Sequence, residues 1–216
     1  VIDISRSGAP GLEHVQADLS DPADWSHVAR SFEQELSDFG GDVAVFVHAA
    51  GTVEPMGYAG EVDGDAYART VVLNSAAPQA LGRAFLSAVA DVDARRHIVM
   101  LTSGAAKSVY PGWSAYGAGK AAVDQWVRNV GAEQDDRGGV HVISITPGTV
   151  DTDMQARIRE TAEHDFPKRS KFVDLHERGE LEDPGRVARQ IWALLDRDLE
   201  NGSVVDLREA ASADEQ

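Results

Sequence analysis

The sequence predicts a doubly wound α/β fold, a parallel sheet covered by helices on both faces. Three observations carry that prediction. Short runs dense in β-branched and apolar residues alternate with amphipathic stretches of helical period, the pattern of a parallel sheet with crossover helices. The central runs, DVAVFVH, HIVMLT and VHVISIT, are apolar at most positions, as strands buried on both faces should be. Polar residues with chemistry to offer stand just after those runs, where ligands bind in open sheets of this kind.

Val1–Ser5 is a short strand closed by Arg6-Ser7-Gly8, and Glu13–Leu19 is a second. Asp21 and Pro22 open a helix as cap and first residue. It runs to about Phe39 and stops at Gly40-Gly41. Asp42–His48 is a buried strand, followed by Ala49-Ala50-Gly51 and a loop rich in Gly and Pro. A long helical stretch spans about Asp65 to Ala90, and Pro78 within it predicts a kink or a break. His97–Thr102 is the next strand, and a loop from Ser103 to Ser114 leads into a helix over about Ala115–Gln134. On that helix Val123, Trp126, Val127 and Val130 share one face.

Val140–Thr146 is a further strand, ended by Pro147-Gly148. Residues 151–183 are polar and irregular, with room for one or two short helices. Asp183 caps and Pro184 opens a helix through Leu195. Asn201-Gly202 reads as a hairpin-type turn before a last strand, Ser203–Leu207, and residues 209–216 read as a frayed tail. No repeat or linker interrupts the pattern, so residues 1–216 are expected to form one domain.

Composition narrows the function. The chain has 216 residues, a net charge of −16 and no cysteine. Structural disulfides, thiol catalysis and cysteine zinc sites are excluded, and no residue is assigned to a metal. The acidic balance argues against nucleic acid, whose binding needs clustered Lys and Arg, and against docking on anionic membranes. No apolar run approaches the ~18 residues of a membrane span. Residues 1–10 lack the pattern of a signal peptide, which points to a cytoplasmic protein.

Tyr116 and Lys120 stand four apart on a helix and so share a face. An ammonium beside a phenol favours the phenolate and lowers its pKa from about 10, and such a tyrosine can exchange a proton near neutral pH. The same pair suits a solvated helix face. Ser103, directly after HIVMLT, can offer its hydroxyl to a substrate oxygen or simply end the strand in a turn. Pro147-Gly148, with Thr152 beyond, offers backbone for a cofactor to lie against, or a turn. Asn74 is a poor helix-interior residue, suited to stabilising a kink or to a proton relay.

Taken together, Ser103, Tyr-Gly-Ala-Gly-Lys (116–120), Asn74, Ala-Asp-Leu (17–19), Ala-Ala-Gly (49–51) and Pro-Gly-Thr-Val-Asp-Thr (147–152) resemble the short-chain dehydrogenase/reductase family over essentially the whole chain. The resemblance implies a Rossmann-like three-layer αβα fold and an NAD(P)H-dependent oxidoreductase. It implies Tyr116 as proton donor to a ketone, Lys120 as the group that lowers its pKa and holds the nicotinamide ribose, and Ser103 as the hydrogen-bond partner of the developing oxyanion. Asn74 would hold a water linking Lys120 to solvent. Asp18 would bond the adenine amino group with Leu19 beside the ring, Ala50 and Gly51 would admit the adenosine ribose, and Pro147, Gly148, Val150 and Thr152 would line the nicotinamide.

At the end of the Val1–Ser5 strand, Ser5 and Arg6 favour a 2′-phosphate, hence NADP(H) over NAD(H). Within the family the likeness is greatest to benzil and sepiapterin reductases, through Gly-Trp-Ser-Ala-Tyr (112–116), Pro-Gly-Thr-Val-Asp-Thr-Asp-Met-Gln (147–155) and the spaced Phe172, Leu175, Gly179, Leu181 and Pro184. That likeness implies a small-molecule ketone or diketone substrate under a lid of about residues 153–183. Trp113, Met154 and Phe172 then line the substrate pocket or pack in the core. A homodimer or homotetramer is implied through the helices near 65–90 and 115–134.

Two departures bear on these expectations. The family's usual Asn-Asn-Ala-Gly is His48-Ala49-Ala50-Gly51 here, and His48 is expected to be a packed strand-end residue. The family's opening strand, Gly-rich loop and helix have no counterpart, because Pro10 removes a donor from Ser-Gly-Ala-Pro-Gly and no helix follows it. The chain thus reads as N-terminally incomplete by about 30 residues. The family's first strand lies between Val1–Ser5 and Asp42–His48, so a gap in the sheet or a new pairing of those two strands is expected. A non-catalytic or truncated relative serving as a dimerisation or regulatory partner is the alternative.

Overall fold

The computed structural model describes residues 1–214. In chain order the elements are β1 (Ile2–Ser5), β2 (Glu13–Gln16), α1 (Pro22–Leu36), β3 (Val43–His48), α2 (Gly64–Val71), a π-helical turn (Val72–Ala76), α3 (Ala77–Ala88), β4 (Arg95–Leu101), α4 (Ser114–Asp135), β5 (His141–Thr146), α5 (Asp153–Glu160), α6 (Arg169–Glu177), α7 (Pro184–Leu194), β6 (Val204–Asp206) and α8 (Leu207–Asp214). All strand pairs are parallel. They form two sheets, β1-β2 and β3-β4-β5-β6, and β1 shares no ladder with β3. Of the two outcomes the sequence left open, the structure takes the gap.

Alternation along the strands builds the three layers. Phe46, Ile98, Met100 and Val142 join Val28, Phe32, Leu81, Phe85, Val123 and Val127 from α1, α3 and α4 in one core. Val99, Ile143 and Ile145 point the other way, into a second core with Val187, Ile191 and Leu194 of α7 and Leu207 of α8. Successive strand residues face opposite sides, so strands that are apolar on both faces hold two helix layers at once. Ile4, Ala17 and Leu19 join the first core, which holds the β1-β2 sheet against the rest through side chains.

The stretch expected near Asp65–Ala90 divides into α2, the π turn and α3. Pro78 stands in the first turn of α3, where its missing N–H costs nothing, and the widened turn directly before it absorbs the break. The tail expected to fray from 209 is helical to Asp214, because the Asp206 carboxylate accepts from the Arg208 N–H and caps α8; residues 215–216 lie outside the described residues. Asn201-Gly202 turns the chain into β6 beside the parallel β5, not into a hairpin. There Asn201 Oδ1 accepts from Val142 N–H at 2.7 Å and Nδ2 donates to the Val140 carbonyl at 3.1 Å. Among the described residues no helix is long and apolar enough to cross a membrane.

Candidate active site

A cavity of about 620 Å³ opens at the carboxyl ends of β4 and β5. Ser103, Tyr116 and Lys120 all line it. Ser103 leaves β4 in extended conformation, and its Oγ accepts from Ala105 N–H at 3.2 Å, starting a short 3₁₀ turn. Tyr116 lies in the first turn of α4 and Lys120 one turn on, both buried. Lys120 Nζ donates to the Leu101 carbonyl at 2.7 Å and sits 5.9 Å from the Tyr116 ring centre.

Glycine sets how closely α4 can seat. A Cβ at Gly119 would stand 2.8 Å from Asn74 Cβ, and one at Gly117 3.0 Å from the Ala105 carbonyl. Asn74 occupies the π turn, a feature common at functional sites. Its Oδ1 accepts from Thr52 N–H at 2.9 Å and its Nδ2 donates to the Thr52 carbonyl at 2.7 Å. Asn74 does not line the cavity; it ties the widened turn to the chain after β3.

The electrostatics differ from the sequence expectation at Tyr116. Burial pushes the Tyr116 hydroxyl above its ordinary pKa, and the hydrogen bond with Ser103 pulls it only part of the way back. The lysine four residues on does not lower it here, because its ammonium is directed to the Leu101 carbonyl. Burial brings Lys120 down to about 8, with Asp124 acting the other way. Asp124 is itself held by Ser144 Oγ at 3.0 Å. His48 is buried and lowered to about 3, first by burial and then by Lys120. It packs at the strand end, as expected of it.

Pro147, Gly148, Val150 and Thr152 follow β5 along the cavity wall, with Gly148 at φ +84°, a conformation that favours glycine. Ser5, Arg6, Asp18, Leu19, Ala50 and Gly51 lie outside the cavity. Ser5 and Arg6 end β1 beside β2, where Ala17 N–H donates to the Ser5 carbonyl at 3.0 Å. Ser5 Oγ donates to Asp3 at 2.8 Å. The Asp18 carboxylate accepts from Ser20 N–H and Oγ, which with Arg6 nearby lower its pKa. The Leu19 side chain turns into the core, so only its backbone can border a ligand. A Cβ at Gly51 would meet Asn74 Oδ1 at 3.1 Å and Lys120 Nζ at 3.6 Å.

Trp113, Met154 and Phe172 line the cavity and also pack with one another. Trp113 stacks on Phe166 at 4.4 Å and meets Tyr116 edge-on at 5.2 Å. Sequence reasoning missed Phe166, which is wholly buried under the pocket, and the lining residues Tyr110, Gln155 and Arg208. Arg208 could have been found by the rule that found Ser103, since it stands just past the carboxyl end of β6. Phe166 and Tyr110 come from irregular loops with no period to mark them.

A sequence model of the family described as short chain dehydrogenase matches residues 4–163. The chain is 38% identical over 184 residues to a benzil reductase ((S)-benzoin forming) of Bacillus subtilis (strain 168), covering 83% of this chain and 76% of that protein. It is also 38% identical over 110 residues to the sepiapterin reductase of Rattus norvegicus, covering 50% of this chain and 40% of the relative. Among solved structures, the KRED1-Pglu enzyme superposes with a TM-score of 0.79 at 28% identity, over 94% of this chain and 88% of that one.

Proposed function

The chain is an oxidoreductase of the short-chain dehydrogenase family, and from that premise we propose that it reduces ketones or diketones with NADPH, Tyr116 serving as proton donor. The observation that carries the reading is the convergence of Ser103, Tyr116 and Lys120 on one cavity whose wall is aromatic. The nearby benzil reductase supports the substrate class.

The residues present suit the nicotinamide end of such a cofactor. Gly148 supplies a positive-φ surface and Lys120 a buried ammonium, while the space a Cβ would take at Gly51 is already filled by Asn74 and Lys120. For the phosphates, no Gly-rich turn stands at a helix N-terminus among the described residues, while Arg6 at the end of β1 supports a 2′-phosphate. When bound, the cofactor supplies a hydride to the ketone carbon.

The chain's own residues do the remaining work. Burial keeps the Tyr116 hydroxyl protonated at neutral pH, which suits a group that must give a proton to the ketone oxygen. Ser103 is placed to donate to that same oxygen as charge develops on it. Lys120 stands one turn on from Tyr116, its buried ammonium held by the Leu101 carbonyl 5.9 Å from the Tyr116 ring centre. Aromatic rings of Tyr110, Trp113 and Phe172 form part of the cavity wall beside Tyr116.

A fluorescence titration of this chain with NADPH and NADH, alongside benzil turnover, tests the proposal. NADPH binding tighter than NADH, with reduction at least 10²-fold slower in Tyr116→Phe and binding retained, is the expected result. Absence of binding of either cofactor by residues 1–216 would overturn the proposal for them.

A further inference from the structure

We propose that Asp124, aimed by Ser144 of β5, is a positioning residue for the site: it is the buried counter-charge that keeps Lys120 an ammonium at neutral pH. Its bearing on turnover rests on the reductase reading above, whereas its bearing on Lys120 does not.

Tyr116, Lys120 and Asp124 follow one another at four-residue steps on α4, so one face of the helix carries all three. Lys120 is 6% exposed and Asp124 3%. An ion taken out of water is costly unless opposite charge and hydrogen bonds compensate it. The hydrogen-bond partners here are neutral. Lys120 Nζ donates to the Leu101 carbonyl at 2.7 Å, and Asp124 Oδ1 accepts from Ser144 Oγ at 3.0 Å. Each buried ion therefore finds its opposite charge one turn away on the same helix, through packed protein in which charges couple more strongly than in water.

Ser144 has no packing reason to be polar. It stands fully buried in the middle of the apolar strand β5. Ile143 and Ile145 on either side face the core of α7 and α8, and alternation turns Ser144 toward α4. Its hydroxyl fixes the Asp124 carboxylate from the adjoining layer.

The other titratable groups facing Lys120 carry no charge at neutral pH. His48 at the end of β3 is lowered to about 3, first by burial and then by Lys120 itself, and Tyr116 is raised by burial. β4 presents the Leu101 carbonyl, and the π turn presents Asn74, whose Oδ1 borders Gly51 together with Lys120 Nζ; neither titrates. Burial brings Lys120 down to about 8, and Asp124 opposes that fall. Without the carboxylate, the ammonium that suits the nicotinamide end of a cofactor gives way to a neutral amine.

The test reads the Lys120 ε-methylene ¹³C resonance against pH. The chain has four lysines, and loss of the signal in Lys120→Met assigns it. The wild-type midpoint is expected near 8. In Asp124→Asn, which keeps the shape and an acceptor for Ser144, it is expected to fall by about one pH unit, and in Asp124→Glu, which keeps the charge, by less. With NADPH and a ketone, the alkaline fall in kcat/KM is expected to move to lower pH together with the midpoint in Asp124→Asn. A merely structural Asp124 would lower the melting temperature and leave the midpoint in place, which overturns the proposal; an alkaline limb that stays put while the midpoint moves overturns its bearing on turnover. Should Asp124→Asn fail to fold, Ser144→Ala carries the test, with a smaller fall in the Lys120 midpoint expected and an unmoved one overturning the proposal. If the wild-type chain reduces no ketone, the reductase reading falls, while the Lys120 titration still judges Asp124.

Discussion

Lys120 is a cation held in a place that disfavours its charge. Its pKa, brought down to about 8 from the ordinary 10.5, means that between those values the unfolded chain binds a proton that the folded chain does not. Stability therefore rises with pH across that window, and below pH 8 the folded chain carries the full cost of the buried charge. The swing is up to about 3 kcal/mol at 1.36 kcal/mol per pH unit. Denaturant unfolding at pH 7.5 and pH 10 should show a gain in the wild type that is missing in Lys120→Met. At Gly119 the constraint is steric. A methyl group there would stand 2.8 Å from Asn74 Cβ, so Gly119→Ala is expected to cost about 1–3 kcal/mol and to lower turnover together with the melting temperature. Ser103, Tyr116 and Lys120 were picked out in the sequence by strand-end and helical placement together with the family resemblance, and the structure brings them to one cavity. The direction of the Tyr116 pKa was not, because it depends on how deeply the fold buries the phenol.

The helices are held at their ends and at close approaches. Asp183 accepts from Arg186 N–H at 2.7 Å at the start of α7, and Asp183→Ala is expected to cost about 1 kcal/mol. Gly131 on α4 faces the Asn201-Gly202 turn so closely that a Cβ would lie 2.3 Å from Gly202 N. Because backbone and not a flexible side chain blocks the space, Gly131→Ala should lower the denaturation midpoint by more than Asp183→Ala does. The caps of α1 and α7 were readable from Asp-Pro pairs, and the buried strands from unbroken apolar runs. The π turn was not readable. Pro78 announces a break, but the sequence does not say that the turn before it widens so that Asn74 can reach both backbone groups of Thr52. Residues 151–183 hold two short helices, within the one or two expected there, but where α5 and α6 begin and end was not readable, since their order comes from packing on Trp113 and Phe166.

At the scale of the molecule, the two sheets are joined by packing and not by a backbone ladder. β4 and β5 are central strands with residues such as Ile98 and Val142 fully buried, while β2 is largely exposed. Opening of β1-β2 therefore costs less than global unfolding. In native-state hydrogen exchange, the amides of β1 and β2 should lose protection at lower denaturant than those of β4 and β5. Equal protection in all four strands would show instead that the chain unfolds as one unit. The cavity divides along a related line. Ser103, Tyr116 and Lys120 stand on β4 and α4, whereas Met154, Gln155 and Phe172 come from α5 and α6. Those two helices reach neighbouring segments through side-chain links such as Arg157–Glu54 at 2.7 Å and Lys171–Tyr110 at 3.1 Å. Ser103, Tyr116 and Lys120 and much of the wall around them are thus encoded in separate stretches of sequence. Mutation can rewrite one while leaving the other intact, so a lineage with this architecture can reshape the cavity by drift in residues 153–177 while inheriting the other three residues unchanged.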